Sequence, residues 1–491
     1  DALQLNAWSL AKGALLGLGG TVLAAWFPAT QAARTAPLTT LSRAALEQST
    51  RHRLPRLGIA GAVMMPAGLL LAFVAPGGVI AGFAGLFVVL LGAALLTPLA
   101  LHLVHGALDR LPIRGVWRMA ARDFDRHLSR LGTAGAALMV ALAASVGVAV
   151  MVESMRSAVG EWLGDLLSAD LYIASEAFDD AATLPQSIVT QAPHLAPVSA
   201  ASYYRNRTLH DGNRRITLVA ADLAAQSRTG FDFVAQIDGD LWQRFASGEV
   251  LISEPFARRS KLNPGDVLHL PTPAGDAGFP VAAVFRDYAS EHGRVFIARP
   301  HYLAHWSDTA VNTVALFSDQ GAAALLQAVS AQFATEDGLV FTAARAIYDE
   351  SMAVFDRTFR ITEALRLLSL LVAFVGILSA LMAVQLERRK EFAVLRALGL
   401  TRWQLSQLIV VESALIGVLA ALLAIPAGLL MAWVLTAAIQ LRAFGWSMPF
   451  VLGATPLWSA LALGTGAAVL AALYPAWRAS MHDPAPQLRE D

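Results

Sequence analysis

Apolar stretches close to the length a bilayer demands recur along this chain, separated by short runs rich in arginine. At about 20 apolar residues per crossing, the qualifying segments are Leu10–Ala33, Leu57–Val74, Val79–Leu108, Leu131–Val152, Ala364–Leu386, Leu405–Ala438 and Leu457–Leu473. Pro76-Gly77-Gly78 makes a tight turn between the second and third, and Pro426 predicts a kink in the sixth. Gly13 with Gly17, and Gly78 with Gly82, stand at the small-xxx-small spacing that permits close helix packing.

From Met155 to about Phe359 the composition changes: charged residues, Pro and short strand-like runs bounded by turn residues appear, and no span is possible. Leu171–Ala174, Arg215–Ala220, Glu249–Ser253, Asp266–Leu270, Pro280–Phe285, Arg294–Ala298 and Thr313–Phe317 read as strands, and Gln320–Phe333 as a helix. This is a mixed α/β domain of roughly 200 residues, a usual domain size, inserted between the fourth and fifth crossings. The fold class is therefore an α-helical polytopic membrane protein with an inserted mixed α/β extracytoplasmic domain. Its parts are a span at 1–34, a linker with two spans at 35–113, an interfacial helix and span at 114–154, the domain with its stalks at 155–360, and a three-span core at 361–491.

Composition agrees: 56% of residues are hydrophobic and only 15% charged, too apolar for a soluble chain. Net charge is zero, which gives no case for nucleic-acid binding. The absence of cysteine excludes disulfides and thiolate metal sites. The first residues lead straight into a span, which reads as a chain beginning within a longer protein.

The stretch Gln385–Ala414 stands out. A charged knot, Glu387-Arg388-Arg389-Lys390-Glu391, precedes Phe392-Ala393-Val394-Leu395-Arg396-Ala397-Leu398-Gly399-Leu400-Thr401-Arg402-Trp403. Charges this dense belong in water or among headgroups. Phe392, Leu395 and Leu398 recur near helical spacing, and Gly399 is placed to stop a helix. The pattern predicts a short amphipathic helix between two crossings, the alternative being an ordinary charged loop. With this element cytoplasmic, counting crossings puts Arg34–Arg56, Arg110–Arg130 and the C-terminal tail on the same side, as the positive-inside rule requires. Arginines at 114, 118, 122, 126 and 130 keep charge on one side of a further helix, so Arg118, Arg122 and Arg126 are expected at the membrane interface.

Leu10–Leu41 and Leu457–Leu488 correspond at constant offset. Trp26-Phe27-Pro28-Ala29 answers Leu473-Tyr474-Pro475-Ala476, and Pro37 answers Pro484. Repeats of this kind are common in transporters. The first span is then the end of a preceding copy.

These residues resemble the FtsX-like permease family, which includes macrolide-exporter, lipoprotein-releasing and cell-division permeases. The specific matches are Glu387–Leu405 followed by Glu412, and the ending Tyr474-Pro475-Ala476-Trp477-Arg478-Ala479-Ser480 with Asp483-Pro484. The extra spans resemble fused members with about ten bilayer-length crossings. The resemblance implies a permease of an ABC transporter in a bacterial inner membrane, with the domain in the periplasm. A separate ABC ATPase, as a dimer, would seat on Arg389, Glu391, Phe392, Leu395, Arg396, Leu398, Gly399 and Arg402. ATP and Mg would bind that partner, and this chain has no GxxxxGK[ST] loop to cradle phosphates. The spans flanking the domain would continue as stalks, Met155–Leu167 and Ser351–Glu363, and carry motion to it. Export or extraction of a lipid, lipoprotein or other hydrophobic molecule is the implied work. The alternatives are a non-transporting regulator of a periplasmic protein, and a membrane-anchored enzyme or receptor. Further partners are membrane lipid and the missing first repeat.

Glu412 lies two turns into the sixth crossing, either a functional intramembrane carboxylate or a residue reaching out to the headgroups. His301 and His305 could share a helix face, but no HExxH pattern accompanies them, and no GxSxG elbow supports a hydrolase.

Overall fold

The computed structural model describes residues 7–34, 43–108, 128–176, 182–211, 214–290, 292–334, 336, 338–387 and 389–481. Its main helices are α1 (Ala7–Arg34), α2 (Arg43–Val74), α3 (Gly78–Leu108), α4 (Leu128–Leu166), α5 (Glu254–Ser260), α6 (Arg299–Trp306), α7 (Ala322–Gln332), α8 (Ala344–Glu387), α9 (Arg389–Ala397), α10 (Arg402–Val434) and α11 (Ala454–Met481). Among the described residues six segments are long and apolar enough to cross a membrane: Leu54–Val74, Gly78–Leu103, Gly132–Leu166, Ala344–Ala383, Arg402–Phe444 and Ala454–Arg478. The first expected crossing is helical as α1 but is not among these six, and its side chains are described only in part. Arg118, Arg122 and Arg126 lie outside the described residues, as does the tail beyond Met481.

The bundle is centred on α10, which packs along both α4 and α11. Small residues allow the approach. A Cβ on Gly417 would come 2.6 Å from the Ala468 Cβ, and one on Gly428 would come 2.6 Å from the Val146 Cβ. Both distances are closer than atoms tolerate, so glycine is required at each. The hairpin of α2 and α3 is tighter still. A Cβ on Gly61 would lie 2.5 Å from the Gly92 carbonyl, and one on Gly68 2.7 Å from that of Gly85. The glycine spacing that brings these helices together is therefore seven, not four. Gly78 and Gly13, singled out by the four-residue pattern, have open space around them, and Gly82 instead receives Ile439.

α4 and α8 leave the bundle as continuous helices of 39 and 44 residues, about 58 and 66 Å long at 1.5 Å per residue. The Arg156 guanidinium binds both carboxylate oxygens of Asp356 at 2.8 and 3.2 Å and ties the two stalks together. Each stalk enters the domain through an edge of its sheet. β1 (Leu171–Ser175) follows α4, β10 (Leu339–Ala343) precedes α8, and the two strands pair antiparallel with Leu171 opposite Ala343.

The remaining strands are β2 (Ala200–Asp211), β3 (Arg214–Asp222), β4 (Phe233–Gln236), β5 (Val250–Ser253), β6 (Val267–Thr272), β7 (Gly275–Phe285), β8 (Arg294–Ala298) and β9 (Thr313–Phe317). They run in the order β10-β1-β9-β2-β3-β8-β5-β7-β4, with β6 pairing the first half of β7. The β3–β8 and β5–β7 pairs are parallel and the others antiparallel, so the domain is mixed α/β. β2, β4 and β10 have no counterpart among the expected strands. The middle of β2, Arg205-Asn206-Arg207, breaks an apolar alternation. Arg205 is nevertheless held in place by Asp308 at 2.8 Å and the Asn312 side-chain oxygen at 3.1 Å.

Past Val434, α10 continues as a wide π-turn over Leu435–Gln440 and one helical turn over Leu441–Phe444. Gly445, at φ 83°, ends it in the left-handed conformation glycine adopts without strain. A loop then leads into α11.

Candidate functional site

The element expected at Glu391–Gly399 is α9, and both its ends are fixed locally. At its C-terminus the Leu400 N–H donates to the Leu395 carbonyl and the Gly399 N–H to that of Arg396, both at 3.1 Å. This is the six-to-one and five-to-two pair of a Schellman stop, with Gly399 at φ 103°. The next helix starts two residues later under a reciprocal cap. The Gln404 N–H donates to the Thr401 Oγ1 at 3.2 Å, and the Thr401 N–H to the Gln404 side chain at 3.0 Å. Glu391 in the first turn of α9 and Arg396 in the last complement the helix dipole. The connection between α9 and α10 is thus a rigid corner.

One face of α9 is its anchor. Phe392 is buried with Leu405 and Ile409 of α10 and Ala476 of α11, and Leu395 packs against the same group. Just past its C-terminus large apolar side chains stand in the open: Leu398, in the stop, is 76% exposed, and Trp403, in the first turn of α10, 71%. Val394 and Trp477 are exposed at the same end. The expected set therefore divides by role. Phe392 and Leu395 belong to the joint, and Gly399 to the stop. Glu391, Leu398 and Arg402 line the outer face, with Arg396 half-buried at its edge. The side chain of Arg389 is not among those described. Trp403 and Trp477 complete the surface, and the signal for them was an aromatic at each helix end beside an arginine.

Glu412 lies one turn along α10 from the joint and is 5% exposed, so it is buried in protein and does not reach out to headgroups. His301 places a ring nitrogen 3.0 Å from the Ala246 carbonyl, and His305 packs edge-on against Phe279. Among the described residues no three metal-ligating side chains gather.

The sheet domain lies at the other end of the bundle. A cavity of about 270 Å³ opens there at the base of the stalks, between α4, α8 and α11. Val148, Val152 and Phe359 give it apolar walls, and Glu153 and Glu363 contribute carboxylates. The domain itself rests on the α10–α11 loop. Glu254, at the start of α5 and 2% exposed, accepts from the Ser447 N–H at 2.8 Å and the Ser447 hydroxyl at 2.9 Å. Its other oxygen accepts two bonds from Arg258, at 3.1 and 3.0 Å. The Tyr288 hydroxyl donates to the Ser447 carbonyl at 3.0 Å, and its ring meets Trp446 edge-to-face at 5.7 Å. Burial, with the carboxylate of Glu254 nearby, pushes this hydroxyl up to about 12 against the opposing pull of Arg286.

Residues 364–484 match the FtsX-like permease C-terminal family. Over 97% of its length the chain is 36% identical to an uncharacterized ABC transporter permease protein, Rv0987, of Mycobacterium tuberculosis. The chain spans 57% of that relative's length. The periplasmic region of MacB from Actinobacillus actinomycetemcomitans aligns with 38% of this chain and 94% of its own at 12% identity, with a TM-score of 0.29. The extracellular domain of the noncanonic ABC-type transporter YknZ from Gram-positive bacteria aligns with 35% and 98% at 11% identity, with a TM-score of 0.27.

Proposed function

Taking as premise that this chain carries an FtsX-like permease domain, we propose that it is the permease part of an ABC transporter whose ATPase is a separate subunit. The ATPase seats on α9. Its closure on ATP displaces the corner formed by α9 and α10, and α8 and α4 carry that displacement to the sheet domain on the extracytoplasmic side. The work done there is export or extraction of a lipid, lipoprotein or other hydrophobic molecule. The cavity at the base of the stalks is where an apolar body leaving the bilayer would meet them.

The observation that carries this reading is the contrast between the buried anchor of α9 and the exposed apolar side chains at the corner where α9 meets α10. Leu398 and Trp403 stand exposed at this charged corner, and large apolar side chains so placed mark a surface that another body covers. A rigid, capped corner passes a push into α10 and does not absorb it. The unbroken course of α8 from the domain to α9 gives the push a lever.

The test replaces Leu398 by Asp in the full-length permease co-expressed with its ATPase. The expected result is loss of permease-dependent ATP turnover by about tenfold or more, the effect of burying an unpaired charge in an apolar socket. Phe392→Leu, which keeps the joint filled, retains turnover. Unchanged turnover in Leu398→Asp with the complex intact overturns the reading. Stimulation by lipid then separates extraction from regulation, which would respond to a periplasmic protein instead.

A further inference from the structure

The loop between α10 and α11 touches three bodies at once. Its first contact is with the α2–α3 turn: Arg442 donates to the carbonyls of Phe73 at 2.9 Å and Gly78 at 3.0 Å. The second contact is with the sheet domain, through Ser447 on Glu254 and Tyr288. There Gly445 lies so close to Pro255 that a Cβ would stand 3.3 Å from its Cα. The third contact is with the base of a stalk. Ser154 of α4, fully buried, accepts from the Val451 N–H at 3.1 Å and lies 3.2 Å from the Val451 carbonyl. Trp162, higher on the same helix, meets Tyr288 edge-to-face at 5.8 Å.

Every polar contact in this set has a backbone group or a buried carboxylate on one side. Such bonds are directional and are lost within a fraction of an ångström, whereas apolar surfaces slide. The Glu254 charge is shielded from water and satisfied by the donors of Ser447 and Arg258. Withdrawing the loop would leave the Ser447-facing oxygen without a donor, while Arg258 still holds the other. Contacts of this kind hold two bodies in register.

We infer that the segment Arg442–Val451 is a strap that fastens the α2–α3 hairpin, the base of α4 and the sheet domain into one moving body. Arg442, Glu254 and Ser154 are its positioning residues. This deepens the reading above: the two spans that precede the permease unit are not passengers but travel with the domain that the stalks drive.

The experiment exploits the absence of cysteine from the chain. Pro76→Cys in the α2–α3 turn and Gln320→Cys on the exposed side of the domain give two unique spin-label sites. The full chain is placed in lipid nanodiscs without nucleotide, and the distance distribution is measured by pulsed electron resonance. The background protein should give one narrow distribution. Glu254→Ala and Arg442→Ala should each widen it about twofold, as for release of one body from another. Glu254→Gln, which keeps an acceptor for Ser447, should restore most of the narrowing. His301→Ala, in the domain but outside the strap, should leave the width unchanged, and circular dichroism should show all variants folded. A width unmoved by Glu254→Ala and Arg442→Ala in folded protein overturns the inference. So does a background distribution already as wide as theirs. No ATPase takes part, so failure here is distinct from failure of the coupling test.

Discussion

At the basic end of the bundle Phe392 presses onto Leu405, Ile409 and Ala476, an apolar joint between α9 and two spans. At the domain end Glu254, Ser154 and Arg442 hold the α10–α11 loop through hydrogen bonds to backbone and buried charge. The first joint depends on volume, and the second on register. An apolar joint tolerates a change of side chain that keeps its volume. A hydrogen-bonded joint admits one geometry and tolerates no loss of an acceptor. The difference teaches that one helical bundle can be joined at its two ends by unlike chemistry, volume at one and directional bonds at the other.

The sharpest way to break this comparison is to empty the apolar joint. Phe392→Ala should destabilise the seating of α9 by about 3 kcal/mol, the usual loss for a buried phenylalanine. The readout is hydrogen exchange at the Val394–Leu398 amides. Phe392→Met should cost about 1 kcal/mol or less, because volume is nearly kept. The second effect in size is Glu254→Met, similar in bulk but without an acceptor. It should cost about 2 kcal/mol by leaving the Ser447 N–H and hydroxyl unpaired, read as faster exchange at Ser447. If the polar joint tolerates this swap as well as the apolar joint tolerates Met, the two are not different in kind. Third comes Ser154→Ala, which should cost about 1 kcal/mol and raise exchange at Val451 while leaving α9 untouched. The smallest effect is in pH. The Tyr288 hydroxyl is held up to about 12, above its unfolded value, so the stability it contributes is present below about 10. That stability is lost as pH rises through the folded value. Thermal unfolding of the domain should therefore weaken across that alkaline window, and Tyr288→Phe should flatten the slope there while leaving α9 exchange unchanged.

The apolar joint was legible in the sequence because its parts are close together. Phe392, Leu395 and the Gly399 stop fall within one short helix, and periodicity exposes them. The polar joint was not, because Glu254 and Ser447 are 193 positions apart and nothing local marks either residue. Strands that are short apolar runs between turn residues, such as Val250–Ser253 and Arg294–Ala298, were also legible. β2 was not, since the arginine that interrupts its pattern is neutralised by residues about a hundred positions away. Glycine spacing misled for a related reason. Gly13 and Gly17 carry the four-residue signature and have open space around them, while Gly61, Gly68, Gly85 and Gly92 bring two helix backbones together at a spacing of seven. Which glycine is used depends on the helix opposite it.

The wide turn at Leu435–Gln440 has a consequence for how such a chain can vary. A π-turn accommodates one residue more than an α-helix does over the same rise. Each residue advances a helix by about 100°. Removing one there would restore regular winding and leave Arg442, Trp446 and Ser447 on the faces they hold now, whereas removing one from the regular turns before it would swing them by that angle, away from the hairpin and the domain together. The wide turn is thus the one place in this helix where the chain can lose a residue without a phase error, because the excess is already stored there.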